Sequence, residues 1–170
     1  MFMKRILYIL LIPFVLLSCN EKKKSDIGEK NLVPILSYRE LAPLLHKKDE
    51  KIYVVNFWAT WCAPCVKELP AFEKLRANYK SKNVEVVLVS LDFTEQIATK
   101  LNAFLSKNNI QSKVLVLHDP DQDAWIPEIS ESWSGAIPAT LIYSRNKRLF
   151  YERSFSYTSL EKEVFKFLKQ

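Results

Sequence analysis

The sequence predicts an α/β fold in which helices flank a central mixed β-sheet. Continuous apolar runs, which are typical of buried strands, alternate with segments of helical spacing from residue 52 to residue 117. This alternation indicates β-α-β units, and therefore parallel strands with right-handed crossovers. Nearer the carboxyl terminus, two more strand-forming runs flank a polar turn at residues 145–148, which predicts an antiparallel hairpin.

Each element follows from local apolar spacing and from its start and stop signals. Strands are predicted at 32–36, 52–57, 84–91, 114–117, 139–143 and 149–155. The longest predicted helix spans 63–79, and a loop with one short helix is expected at 119–133. Three further helix starts are predicted from a capping box at Ser37 and Glu40, a capping Thr94, and a second capping box at Thr158 and Glu161.

The first eighteen residues have the pattern of a signal peptide. Lys4 and Arg5 precede an apolar run at residues 6–17, which is too short to span a bilayer. The run leads directly into Ser18 and Cys19, an arrangement that resembles a bacterial lipobox and predicts a lipid on Cys19. An ordinary signal peptide with an incidental cysteine is the alternative.

The predicted organisation is therefore a lipoprotein signal peptide at 1–18, a flexible tether at 19–31 and one folded domain at 32–170. The tether is polar, and we interpret its Lys22, Lys23 and Lys24 as solvated. No aromatic residues interleave with these lysines, so a nucleic-acid site is not expected. We expect the domain to lie outside the cytoplasm, facing the periplasm, and to be held at a membrane by the lipid anchor.

Composition excludes several classes of site. Two glycines in 170 residues leave no Gly-rich phosphate loop. Of three cysteines, one lies at the predicted processing site and two form a Cys-x-x-Cys, so none remains for a structural disulfide. A zinc site would need two more ligands, and the only histidines, His46 and His118, lack finger-like spacing. We therefore expect no metal.

The pair Cys62 and Cys65 lies where the strand at 52–57 gives way to the helix at 63–79. The amino terminus of a helix carries unpaired N–H groups and a partial positive charge, which favour an anion. A thiolate at Cys62 is such an anion, so its pKa should lie below that of free cysteine. Cys65, one turn further on, is close enough to close a small disulfide ring, and Pro64 fits the first helical turn.

The string W-A-T-W-C-A-P-C at residues 58–65 resembles the active site of the thioredoxin superfamily, and the continuation V-K-E-L-P at 66–70 resembles its extracytoplasmic TlpA/ResA-type branch. The resemblance covers about residues 33–168. It implies a thioredoxin fold with an extra helix and strand, at about 94–117, inserted between its two halves. It also implies protein thiols and disulfides as substrates, a membrane or extracytoplasmic electron donor, and no cofactor beyond a redox-active Cys62–Cys65 disulfide.

The same resemblance implies a substrate groove. Ile137 and Pro138 match the cis-proline element that faces the dithiol and shapes the groove. The alternative is a strand-initiating proline with an ordinary trans bond. Trp61 and Pro64 are expected to line the same groove. The remaining tryptophans are interpreted as packing residues: Trp58, Trp125 and Trp133.

Glu68 is the third predicted catalytic residue. It lies three residues after Cys65 on one helix, so the two side chains are neighbours. A partly buried resolving cysteine must lose a proton, and a nearby carboxylate with a raised pKa could accept it. The resemblance supports this role, because TlpA/ResA-type proteins carry a glutamate at this spacing. In addition, Asn56 stands where cytoplasmic-type thioredoxins have a buried aspartate. A solvated helix charge is the alternative for Glu68.

Together these observations predict a membrane-tethered thiol-disulfide oxidoreductase. Ala63 and Pro64, between the cysteines, carry no charge, so we expect a reduction potential nearer that of thioredoxin (about −270 mV) than that of a strong oxidant (about −120 mV). That favours a reductase of protein disulfides, apocytochrome c among them. The alternatives are a disulfide oxidase or isomerase, and a non-catalytic adaptor lipoprotein. A peroxiredoxin is disfavoured, because its Pro-x-x-x-Thr-x-x-Cys is absent.

Overall fold

The computed structural model describes residues 33–169. The predicted signal peptide at 1–18, the lipidation site Cys19 and the tether at 19–31 lie outside the described residues. Within residues 33–169, none of the helices has the length and apolarity that a membrane crossing requires.

The described chain forms strands and helices in the predicted alternating order. The strands are β1 (Ile35–Leu36), β2 (Ile52–Trp58), β3 (Val84–Ser90), β4 (Lys113–Leu117), β5 (Ala139–Tyr143) and β6 (Arg148–Tyr151). The α-helices are α1 (Tyr38–Leu45), α2 (Ala63–Tyr79), α3 (Asn102–Lys107), α4 (Gln122–Ile129) and α5 (Tyr157–Leu168). A 3₁₀ turn at Lys80–Lys82 follows α2, and a 3₁₀ turn and a π-helical turn at Thr94–Gln96 and Ile97–Leu101 precede α3.

The six strands form one mixed sheet in the order β1-β4-β3-β2-β5-β6. The first four strands in this order are parallel neighbours, whereas β5 is antiparallel to β2 and β6 is antiparallel to β5. The predicted mixed sheet is therefore confirmed. Because β2 and β3 are parallel and start together, with Ile52 opposite Val84, the segments that follow them emerge at the same end of the sheet.

The central strand β2 is buried over its whole length and separates two apolar cores. Its residues alternate between them, since successive side chains of a strand point to opposite faces. Val54 and Trp58 belong to the core that α2 and α5 cover, whereas Val55 and Phe57 belong to the core that α1 and α4 cover. Asn56 shares the alternation of Val54 and Trp58, so the sequence directs this polar side chain toward α2.

Two predicted helix starts are wrong. Thr94 does not cap a helix: it is the first residue of the 3₁₀ turn, and Phe93 holds the N-cap position. The start of α5 is capped by Ser156, whose hydroxyl accepts a hydrogen bond from the Ser159 N–H, and not by the pair Thr158 and Glu161. The sequence offers serine or threonine at 154, 156, 158 and 159. Each of these hydroxyls can cap a helix, so the sequence alone does not decide which one does.

The final strand is shorter than the predicted 149–155, because β6 ends at Tyr151. Beyond it the chain turns away from the sheet, and the N–H of Phe155 donates to the Glu68 carboxylate instead of to a neighbouring strand. By contrast, the capping box at Ser37 and Glu40 is present, and α2 has the predicted bounds.

Candidate active site

The two cysteines of the Cys-x-x-Cys form a disulfide at the amino terminus of α2. Cys62 is the N-cap, and its sulfur accepts a hydrogen bond of 3.3 Å from the Cys65 N–H. The Cα atoms of the pair are 5.2 Å apart. An N–H group and the positive end of the helix dipole thus face the Cys62 sulfur, which stabilises a thiolate there when the disulfide is reduced.

The two sulfurs differ in access to solvent. Cys62 retains 6% of its surface, whereas Cys65 retains none. Ala63 and Pro64, between them, are exposed, and Pro64 occupies the first turn of α2, as expected. An incoming disulfide can therefore reach Cys62 with a smaller opening of the site than it needs to reach Cys65, which agrees with Cys62 as the nucleophile.

The loop before β5 faces Cys62. The Ile137–Pro138 peptide bond is cis, as the resemblance implied. The carbonyl oxygen of Ile137 lies 3.7 Å from the Cys62 sulfur, while Pro138 itself is buried. Gly135, two residues earlier, has a φ of +90°, a backbone conformation that side-chain-bearing residues rarely adopt. This loop thus brings backbone groups to the reactive sulfur, where an extended substrate could pair with them.

Glu68 is not a solvated helix charge: it is buried, with only 3% of its surface exposed. Its Oε1 accepts from the side-chain amide of Asn56 at 2.9 Å, and its Oε2 accepts from the Phe155 N–H at 2.7 Å. Burial raises the pKa of Glu68 to about 7, although these two hydrogen bonds and the charge of Arg153 act in the opposite direction. A carboxylate with this pKa can take up and release a proton near neutral pH.

Asn56 joins the sheet to this carboxylate. Its Nδ2 also lies 3.1 Å from the Thr140 hydroxyl and 3.4 Å from the Ala139 carbonyl on β5. Its Oδ1 is buried and has no hydrogen-bond partner among residues 33–169. Asn56 therefore acts toward Glu68 as a donor, which favours the ionised form of the carboxylate.

Asp92, which the sequence analysis did not single out, anchors the active-site loop from the neighbouring strand. It follows β3, is 2% exposed, and accepts hydrogen bonds from both the backbone N–H and the hydroxyl of Thr60. The Ser90 hydroxyl donates to the same carboxylate at 2.7 Å. Asp92 was missed because only the register of β2 and β3, with Trp58 opposite Ser90, places it beside Thr60.

An exposed aromatic pair flanks the disulfide. Trp61, predicted to line the groove, is 55% exposed, and its ring stacks on that of Phe93 at a centroid distance of 6.4 Å. Phe93 is 59% exposed and was not predicted to belong to the site. The other tryptophans are buried, as expected for packing residues: Trp58, Trp125 and Trp133.

Both histidines lie at the surface of the domain. His118 is exposed beyond the end of β4, and His46 is exposed after α1. Among residues 33–169, no group of three or more His, Cys, Asp or Glu side chains converges in a way that could hold a metal ion.

Comparison with known proteins places this chain in a family. Residues 40–151 match the AhpC/TSA family. The chain belongs to this family.

Two relatives illustrate the range of similarity. The chain is 57% identical over 49 residues to the thiol-disulfide oxidoreductase ResA of Oceanobacillus iheyensis. This alignment covers 29% of this chain and 26% of ResA. The chain is also 33% identical over 118 residues to the thioredoxin-like protein YneN of Bacillus subtilis. That alignment covers 65% of this chain and 68% of YneN. The alignment with ResA thus spans well under half of that protein.

Solved structures share the fold. A thioredoxin-related protein from Neisseria meningitidis serogroup B matches with a TM-score of 0.61 at 23% identity, over 72% of this chain and 88% of that one. A DsbF homologue from Corynebacterium diphtheriae matches with a TM-score of 0.57 at 23% identity, over 74% of this chain and 75% of that one. The predicted thioredoxin fold is thereby confirmed.

Proposed function

We propose that this protein is a membrane-tethered thiol-disulfide oxidoreductase that reduces protein disulfides outside the cytoplasm. The observation that carries the proposal is the Cys62–Cys65 disulfide at the start of α2, which faces the cis Ile137–Pro138 bond and lies one helical turn from buried Glu68. The similarity to ResA, a thiol-disulfide oxidoreductase, supports the same activity.

The reaction begins with the reduced protein. The Cys62 thiolate attacks one sulfur of a substrate disulfide, so that a Cys62–substrate disulfide forms and the substrate bond breaks. The first substrate thiolate leaves and takes a proton from water. The Cys65 thiolate then attacks the Cys62 sulfur, closes the Cys62–Cys65 disulfide, and releases the second substrate thiolate. Two electrons have passed to the substrate, and an extracytoplasmic or membrane donor of dithiol type restores the reduced protein.

Glu68 serves the second step. Cys65 is fully buried, so its thiol needs a proton acceptor inside the protein. Ionised Glu68, three residues away on the same helix, takes that proton and becomes a neutral acid, which its buried environment tolerates. Asn56 and the Phe155 N–H hold the carboxylate in place between turnovers.

The direction of electron flow follows from the reduction potential. Ala63 and Pro64 add no charge that would stabilise the reduced pair strongly, so the potential should lie near that of thioredoxin, about −270 mV. The test is equilibration of the full chain with glutathione and dithiothreitol buffers, followed by quantification of free Cys62 and Cys65. A potential below about −220 mV supports the reductase, whereas a value above about −180 mV indicates an oxidase or isomerase.

The cellular setting is part of the proposal. The apolar run at 6–17 followed by Cys19 supports export and a lipid anchor, so that the domain works on exported proteins with oxidised cysteines, including apocytochrome c. Turnover with a protein disulfide separates this enzyme from an adaptor that only binds: an adaptor would bind such a substrate without reducing it.

A further inference from the structure

The basic residues of this domain are concentrated at the end of the sheet away from the disulfide. Three clefts lie there, of about 260, 300 and 330 Å³. The first and second share Arg145, and the second and third share Lys51, so the clefts form one continuous surface. We call the residues that line these three clefts the basal surface.

The basal surface carries ten lysine and arginine side chains against three acidic ones. Two of the acidic residues are in ion pairs, Glu85 with Lys51 and Glu50 with Arg145. The formal net charge of the whole chain is +6, so the basal surface alone accounts for the entire positive surplus. The surplus remains after its internal ion pairs are formed.

Topology explains why the charges meet. The turn between β5 and β6, the segment after α1 and the segment after α2 all lie where β2 and β3 begin. Cations at the carboxyl end of a helix stabilise its dipole, which accounts for Lys80 after α2. It does not account for Arg145 in the hairpin turn or for Lys113 at the start of β4. Arg145 already pairs with Glu50, so the basal cations in excess of the three acidic residues are the ones that call for an anionic partner outside the domain.

The opposite end of the domain has no such excess of basic side chains. The segments that follow the carboxyl ends of β3 and β4 and the outer end of β6 carry Glu95, Asp119, Asp121 and Glu152 at the surface, with Lys100 and Arg153 among them. The disulfide lies at this end, because α2 starts where β2 finishes. The excess of positive charge thus lies at the basal surface and not at the reactive end.

We propose that the basal surface docks on an anionic phospholipid bilayer and turns the disulfide away from the membrane. Basic side chains within a Debye length of anionic headgroups are attracted to them, so the excess of positive charge at the basal surface favours this orientation. The membrane is favoured over an acidic protein partner by the sequence that precedes the domain, which has an apolar run at 6–17 and Lys22, Lys23 and Lys24 close behind it.

The chain that precedes the domain is long enough to leave the orientation of the domain at a membrane undetermined, so docking would decide it. From Cys19 to Val33 the chain can extend up to about 50 Å, at about 3.5 Å per residue, which exceeds the width of a domain of this size. If Cys19 carries a lipid, as proposed above, a chain of this length would hold the domain near the bilayer without selecting the face that it presents. The basal surface would supply that selection, and it would leave Trp61 and Cys62 open to exported substrates.

The experiment is lysine footprinting of the full chain on vesicles. An amino-terminal hexahistidine tag holds the oxidised protein on vesicles that contain a nickel-chelating lipid in phosphatidylcholine, with or without 30% phosphatidylglycerol. An amine-reactive acylating reagent and mass spectrometry then read each lysine. Because the tag attaches the chain to both vesicles, only the orientation of the domain differs between them.

We expect the reactivity of basal Lys48, Lys80 and Lys113 to fall about fivefold or more on the anionic vesicles and to recover in 0.5 M NaCl, where the Debye length is short. Exposed Lys67, in the first turns of α2, should remain reactive throughout. Equal reactivity on both vesicles overturns the proposal, as does protection of Lys67 to the same degree. Protection by an acidic protein but not by anionic lipid also overturns it.

A matched pair of variants tests the charges themselves. Lys48→Gln, Lys80→Gln and Lys113→Gln together should abolish the protection that the remaining basal lysines, such as Lys47, show on anionic vesicles. The control removes the same number of charges elsewhere, with Arg39→Gln, Lys67→Gln and Lys100→Gln, and should leave that protection unchanged. If both triple variants lose protection equally, net charge and not the basal surface is responsible, and the proposal fails. None of these outcomes depends on the redox activity.

Discussion

Glu68 combines two properties that usually exclude each other, an ionisable side chain and almost complete burial. Its carboxylate is tolerated because each oxygen has a donor, from Asn56 on β2 and from Phe155 before α5. The two donors come from segments far apart in the chain, so the fold has to be complete before the carboxylate is held. That placement makes Glu68 suited to accept a proton from Cys65 without contact with bulk water.

The substitution Glu68→Gln should slow resolution and spare the first attack. A glutamine keeps the size of the side chain but cannot take a proton from Cys65, so the mixed disulfide at Cys62 should accumulate. Groups that act directly as acid or base contribute about 100-fold or more, and a loss of about tenfold remains consistent if water substitutes in part. Stopped-flow reduction of a model disulfide, with acid quenching to trap the mixed disulfide, measures both steps.

Exposed Glu131 provides the control for this measurement. Glu131→Gln removes one negative charge from the surface and should leave both steps unchanged. If Glu68→Gln shows no accumulation and the pH dependence of its second step is that of the wild type, Glu68 has a structural role only.

The raised pKa of Glu68 also predicts how stability depends on pH. The folded protein holds this proton up to about pH 7, whereas a glutamate in the unfolded chain releases it near its ordinary value of 4.5. The folded state therefore binds more protons between these values, so the free energy of unfolding falls as the pH rises through that window. At about 1.4 kcal/mol per pKa unit, the Glu68 contribution to this loss is about 3 kcal/mol.

Urea unfolding of the oxidised protein at pH 4.5 and pH 8 measures this effect, because the disulfide removes both cysteines from the titration. The quantity to compare is the stability of the wild type minus that of Glu68→Gln, which cancels groups common to both proteins. This difference should become less favourable to the wild type as the pH rises. A difference that does not vary with pH would mean that Glu68 keeps an ordinary pKa in the folded protein.

At the scale of elements, the active-site loop depends on β3 as much as on β2 and α2. Thr60 lies between β2 and the disulfide, and the Asp92 carboxylate, beyond the end of β3, holds both its N–H and its hydroxyl. Phe93, the next residue, stacks on Trp61 at the surface. Two consecutive residues after β3 thus support the loop: buried Asp92 holds its backbone, and exposed Phe93 extends the aromatic surface that Trp61 begins.

The substitution Asp92→Asn should loosen this loop. An asparagine retains one acceptor oxygen where Asp92 uses two, and hydrogen bonds to a charged group contribute about 1.5–3 kcal/mol each, so a loss of stability of about 1–3 kcal/mol is expected. Hydrogen exchange at the Thr60 amide should accelerate more than exchange in β2. The exposed Asp121→Asn is the matched control. Unchanged exchange at Thr60 would show that the loop is held by packing alone.

The elements differ in how far local sequence determined them. The bounds of α2 and the capping box at Ser37 were predictable, because apolar spacing and capping depend on residues within one or two turns. The cap of α5 was not, since several neighbouring hydroxyls compete for it and tertiary packing selects Ser156. The end of β6 was missed for a related reason: the strand was predicted to continue through Glu152, Arg153 and Ser154 to apolar Phe155, but the Phe155 N–H donates to Glu68, far away in sequence.

At the scale of the whole molecule, the site residues that could be predicted lie close together in sequence, whereas those that were missed are brought to the site by the fold. Cys62, Cys65, Trp61 and Glu68 fall in one short segment, so their motif and spacing were enough to select them. Asp92 contacts this segment only because the register of β2 and β3 places it beside Thr60. Phe93 follows Asp92 directly, so the same register places its ring beside Trp61. Burial, which raises the pKa of Glu68, is a property of the assembled fold and not of its helix alone.

The proposed location of the molecule leads to the last prediction. If Cys19 carries a lipid, Cys19→Ala should either release the protein from membranes or block its processing, because the attachment point of the lipid is lost. The apolar run at 6–17 would remain in the unprocessed form, so fractionation must be combined with mass determination of the mature amino terminus. Ser18→Ala keeps a small residue before the cysteine and is the control, with normal processing expected. Mature, membrane-bound wild-type protein with an unmodified Cys19 would contradict the anchor, and the domain would then need another route to the membrane, such as its basal surface.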